Sequence, residues 1–156
     1  MDWLDEAAKK HAEFVKKQKS ETEIGNVIKE SYQKKVTELW DMFKSFYDLA
    51  KDKFDGGKAF SAKGNEMQLV ISDIEIRGYA EEREKMGGYY GTVTVKIKYL
   101  NSNRVGEVHF DNLLLGHTNG EPTWVYRDYV NDRMIDVIFT QEDVEKVFKS
   151  AFSIYR

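Results

Sequence analysis

Glu107, His109 and Asp111 stand at alternate positions in "GEVHFDN", so on a strand they share one face. A His-x-Asp pair can supply two protein ligands to a non-haem iron, and the third is usually a distant histidine in a dry pocket. Only His11 and His117 remain to fill that place, the first in a helical stretch and the second in turn-like sequence. Across the expected hairpin Glu107 and His109 also meet Lys98 and Lys96, and Asp111 meets Thr94. The pattern therefore reads as a solvated charge ladder, and neither a metal nor a cofactor is expected.

Asp73, Asp111 and Asp128 are the candidates for general acid–base work. They interrupt otherwise apolar alternation, and a carboxyl held partly buried near a bulge keeps its proton to higher pH. The ordinary alternative is a carboxylate that ties down a bulge or ends a strand. "DGGKAFSAKGN" has glycines and lysines but lacks the G-x-x-x-x-G-K-[ST] order, and no strand precedes it, so it reads as a linker. No serine lies in G-x-S-x-G, and no histidine has an evident partner. The chain leans away from an enzyme.

These residues are positioned by an expected α+β architecture: two N-terminal helices, a curved five-stranded antiparallel meander with bulges, and a C-terminal helix. The whole chain, 1–156, is expected to form one domain, with residues 1–19 peripheral. Ile24, Ile28, Tyr32, Val36, Leu39, Phe43, Phe46, Ala50 and Phe54 step by threes and fours, one helical stripe over about residues 21–54. Trp3, Leu4, Ala7, Ala8, His11, Phe14 and Val15 form a shorter stripe over about 3–17. Ser20 and Glu23 have capping-box spacing, which predicts a break between the two helices, the alternative being one continuous helix.

From Met67 the period becomes two. Strands are expected near 67–78, 89–100, 104–115, 122–130 and 134–139, with turns at Ser102-Asn103, Asn119-Gly120 and Asn131-Asp132. This register sets Ile97 opposite Val108, Val95 opposite Phe110, Lys98 opposite Glu107, Leu115 opposite Trp124, Tyr126 opposite Val137 and Arg127 opposite Asp136. The alternation changes phase twice, and a bulge at each of Ser72-Asp73 and Asp111-Asn112 would keep the large side chains on one face. Thr140, with Asp143 three residues on, caps a last helix.

Bulk properties narrow the partners. The formal net charge of -3 disfavours a nucleic-acid stripe. The mean hydropathy of -0.62, with no long apolar run, disfavours a membrane span. The absence of cysteine excludes disulfides and thiolate zinc sites and fits the cytoplasm. The function expected is a small cytoplasmic protein-binding module of inhibitor, immunity or adaptor type. Its partner surface would be Trp3, Leu4 and Phe14 of the first helix, docking another protein or a second copy. Tyr79, Glu81, Glu82, Glu84 and Tyr89 would join it and suit a basic protein. The alternative is an enzyme or small-ligand binder with a pocket between sheet and long helix, lined by Trp40, Tyr47, Tyr126 and Asp128.

Overall fold

A computed structural model describes residues 2–85, 89–100 and 108–153, leaving aside the side chains of residues 84, 85 and 108–112. One helix, α1 (Asp2–Ala50), opens the chain and ends in a short 3-10 turn, Lys51–Lys53. The expected break at Ser20 does not occur. A capping box acts only where the backbone leaves the helix, and here the flanking Ala, Lys, Glu and Gln are good helix formers. Thr22 beside it hydrogen-bonds back to the Gln18 carbonyl (3.0 Å), a bond that keeps it within the helix.

Seven strands follow rather than five: β1 (Lys58–Lys63), β2 (Glu66–Ile71), β3 (Ile74–Lys85), β4 (Tyr89–Tyr99), β5 (Val108–Thr118), β6 (Glu121–Val130) and β7 (Arg133–Ile138). They form one antiparallel sheet in chain order. The stretch read as a linker supplies β1, where Phe60 faces Leu69 across the ladder. The single strand expected at 67–78 is two, because Ser72-Asp73 is not a bulge but a tight turn. Ser72 takes φ 58, and Ile71 lies directly opposite Ile74. A two-residue turn restores the apolar side as well as a bulge does, since residues facing each other across a turn share a face.

The second phase change is a bulge, as its sequence implied. Val95 pairs with Phe110 but Val93 with Leu113, so β5 carries one extra residue at Asp111-Asn112. A compensating bulge on β4 follows at Gly91 (φ 79), between the pairs Thr92–Leu114 and Tyr90–Leu115. The expected pairs Ile97–Val108, Leu115–Trp124, Tyr126–Val137 and Arg127–Asp136 are all present. The expected tip Ser102-Asn103 and the Lys98–Glu107 pair fall outside the described residues.

The core lies between α1 and the inner sheet face. Ile28, Val36, Leu39 and Phe43 are fully buried there against Leu69, Ile76, Ile97 and Leu115. Full burial of each such side chain contributes roughly 1.5–3 kcal/mol. Two indoles fix the crossing of helix and sheet: Trp40 Nε1 donates to the Gly64 carbonyl (3.0 Å) and Trp124 Nε1 to that of Lys35 (2.8 Å). The last helix, α2 (Gln141–Phe152), starts at a Thr140–Asp143 capping box, in which the Asp143 carboxylate accepts from the Thr140 amide (2.8 Å). It packs Phe148 on Phe46 and stacks Phe152 on Phe54.

Candidate partner-binding surface

Every residue from Asp2 to Glu23 is exposed, and burial begins only at Ile24. At about 1.5 Å per residue, this part of α1 overhangs the sheet by roughly 33 Å. Its local stability is intelligible from sequence. Glu6 and Lys10, and Glu13 and Lys17, have the i,i+4 spacing that favours a helix, and Asp2 and Asp5 lie at the positive end of the helix dipole.

The overhang is not polar all round. At about 3.6 residues per turn, residues thirty-six apart are about ten turns apart and share a bearing. Trp3 therefore aligns with Leu39, Leu4 with Trp40, Ala7 with Phe43 and Phe14 with Ala50, and each second member is buried in the core. The apolar face that grips the sheet is interrupted by the polar stretch 16–23 and recurs on the same bearing in solvent, where Trp3 is 68% and Phe14 57% exposed, with Leu4 and Val15 beside them. Scattered exposed apolar residues are ordinary; these four share one helix face.

The overhang leaves the sheet beside the end of β3. There the Tyr32 ring meets Tyr90 edge-on at 5.4 Å, and the Tyr90 hydroxyl donates to Glu82. Gly91 is required at this point, since a Cβ on it would lie 2.5 Å from the Tyr32 ring. The Tyr32 hydroxyl is buried with no hydrogen-bond partner among the described residues. Burial, reinforced by the Glu82 carboxylate, pushes its pKa up to about 12. Glu81 and Glu82 remain exposed next to this exit, whereas the Glu84 side chain lies outside the described residues.

Tyr79 and Tyr89, chosen as interface anchors, are both only half-buried and both engaged on the outer sheet face. The Tyr79 hydroxyl accepts from Arg77 (3.3 Å), and Lys96 sits 5.8 Å from its ring centre. Arg77 also pairs with Glu75 (2.6 Å), the one carboxylate buried among the described residues, which accepts in addition from Gln68 (2.9 Å). Tyr89 lies across Gly116, receives the Arg127 guanidinium 4.8 Å above its ring, and donates to Asp136. That Asp136 carboxylate holds the Tyr89 proton and raises its pKa. The Arg127–Asp136 pairing was legible in the strand register, but the tyrosine that bridges it was not.

The acid–base candidates stand on separate elements. Asp73 is in the β2–β3 turn, Asp111 is at the β5 bulge with its side chain outside the described residues, and Asp128 is an exposed carboxylate accepting from the Tyr129 amide (2.8 Å). The ladder of Glu107, His109 and Asp111 also falls outside the described residues, apart from the backbone pairing of His109 with Lys96. Among the described residues no three His, Cys, Asp or Glu are grouped to hold a metal ion. The four residues of the expected pocket are divided between the core and the surface. Trp40 and Tyr47 are buried in the core, and Tyr126 is half-buried toward Asp143, whose carboxylate adds to burial in raising its pKa. Two shallow depressions, of about 130 and 190 Å³, lie on the outer face and share Arg77 and Tyr79. Among the described residues no helix is long and apolar enough to cross a membrane. Set against protein-family models, curated proteins and solved structures, the chain matches none of them.

Proposed function

We propose that the chain is a protein-binding module of inhibitor, immunity or adaptor type, working in the cytoplasm by surface complementarity and without chemistry. Its docking element is the exposed face of α1 from Asp2 to Glu23. The observation that carries this reading is the apolar bearing shared by the buried Leu39, Trp40 and Phe43 and, beyond the polar stretch 16–23, by the exposed Trp3, Leu4 and Phe14. A helix face of this kind is recognised by laying it into a groove or against another helix, with the large residues as anchors. Glu81 and Glu82 beside the exit favour a partner with basic residues at that end. Neither a nucleic acid nor a membrane is part of the reading.

The experiment compares wild-type protein with a Trp3→Ser/Phe14→Ser variant as baits in a lysate of the native host. Proteins retained by wild type and lost by the variant, at equal thermal stability of the two baits, support the reading. Identical captures by both sink it. The alternative, a small-ligand site between sheet and helix, has less support, since Trp40 and Tyr47 are spent on packing.

A further inference from the structure

We infer that the overhang of α1 pairs with the same segment of a second copy, antiparallel and centred near His11. This rests on the preceding reading and names the partner. Three observations lead to it. First, charge is segregated along the overhang. Asp2, Asp5 and Glu6 occupy its first residues without a cation, Lys9 and Glu13 flank His11, and Lys16, Lys17 and Lys19 cluster in its far part, with Glu21 and Glu23 beyond them next to the sheet. A parallel pair would set acids on acids and lysines on lysines. An antiparallel pair with residue numbers summing to about 22 brings each acidic end beside the partner's lysines, as in a complementary interface.

Second, in that register large meets small. Phe14 lies opposite Ala8 of the partner subunit and Val15 opposite the partner's Ala7. Leu4 faces the stem of the partner's Gln18 and Trp3 that of the partner's Lys19, and the two His11 side chains meet at the two-fold axis. Knobs of this size need such gaps if the helix axes are to approach closely. Third, the lengths agree. The register sets the partner's Asp2 beside residue 20, just short of Ile24, where the sheet begins to cover α1. The free helix is thus long enough for one copy of itself, and the two folded bodies stay clear of each other at opposite ends.

The test uses the full-length chain in multi-angle light scattering and sedimentation at up to about 100 μM. The expected mass is that of a dimer. Asp2→Lys/Asp5→Lys/Glu6→Lys and, separately, Lys16→Glu/Lys17→Glu/Lys19→Glu should each be monomeric under the same conditions, and an equimolar mixture of the two should regain the dimer mass. Orientation is read by oxidation, since the chain has no cysteine. His11→Cys should cross-link to itself, Leu4→Cys should not, and Leu4→Cys mixed with Gln18→Cys should. All these positions are exposed, and an unchanged melting temperature of the body checks that each variant folds. A wild-type monomer at 100 μM overturns the inference, as does self-linking of Leu4→Cys as efficient as that of His11→Cys. If wild type is monomeric yet still captures a host protein through Trp3 and Phe14, the pairing falls and the binding-module reading stands. If neither occurs, both fall.

Discussion

Replacing Gly78 by alanine should destabilise the protein severely for so small a change, and the magnitude can be built from its surroundings. Gly78 lies on β3 under the Trp40 indole, and a Cβ there would stand 2.5 and 2.7 Å from two ring carbons, with the Met67 methyl at 3.3 Å. The ring cannot swing aside freely, because it is buried and its Nε1 is tied to the Gly64 carbonyl. Overpacking of this kind costs about 1–3 kcal/mol. Losing the indole hydrogen bond adds about 1 kcal/mol. The expected total is about 2–4 kcal/mol, or roughly 5–15 °C in melting temperature for a chain of this size. Trp40→Leu should itself cost about 2–4 kcal/mol by leaving a void and an unmet carbonyl. In the double variant the alanine no longer meets a ring, so the two costs should fall short of additivity by about 1–3 kcal/mol. Urea unfolding of the four proteins, with slopes checked for constancy, measures this. A Gly78→Ala loss under about 1 kcal/mol, or strict additivity with Trp40→Leu, would refute the account of how helix and sheet are locked.

Trp124→Ala removes a buried ring and its bond to Lys35, and should cost about 3–5 kcal/mol in urea unfolding; a change well below 1 kcal/mol would contradict the burial. Asp143→Ala opens the cap of α2 and should cost about 0.5–2 kcal/mol, read in the same assay. Tyr32→Phe deletes a buried hydroxyl with no partner among the described residues and should raise stability at pH 7 by about 1 kcal/mol. The same residue predicts a pH effect. Its folded pKa of about 12 lies above the ordinary 10, so the folded protein holds the phenolic proton more tightly than the unfolded chain. That stabilisation is complete below pH 10 and is lost as pH rises through 12. The loss is up to about 3 kcal/mol at about 1.4 kcal/mol per unit. Tyr32→Phe should therefore show a shallower fall in stability than wild type between pH 10 and 12, and parallel curves would count against it.

The alternation of polar and apolar residues made most of the sheet readable, because register errors would have mixed the two faces at several pairs at once. Leu115 opposite Trp124, and the bulge at Asp111-Asn112, could be placed that way. The same signal was ambiguous at Ser72-Asp73, where a bulge and a two-residue turn return Ile74 to the same side. It was silent for β1, since Ala59, Ser61 and Ala62 carry no apolar alternation and Phe60 alone marks the buried side. Helix continuity through Ser20 was misread for a related reason: cap residues are permissive inside a helix, so their spacing marks a boundary only when the chain turns there. Trp3, Leu4 and Phe14 could be selected as an exposed stripe from sequence. Their alignment with the core face required knowing that the helix does not break. The Tyr89–Asp136 contact joins residues 47 apart across β5 and β6, beyond the reach of any local pattern.

The strictly sequential strand order has a kinetic corollary. Each ladder joins neighbours in the chain, and four of the connections are two residues long, so little loop entropy opposes the zipping of any one hairpin. Closure of Trp124 on Lys35 spans 89 residues and must wait until both partners exist. Synthesis delivers α1 first, with its apolar bearing uncovered until the strands arrive to meet it. Folding should therefore be limited by helix docking onto a largely assembled meander. Kinetic analysis should give Gly120→Ala, at the β5–β6 turn, a larger share of its effect in the folding rate, and Trp124→Ala a larger share in the unfolding rate.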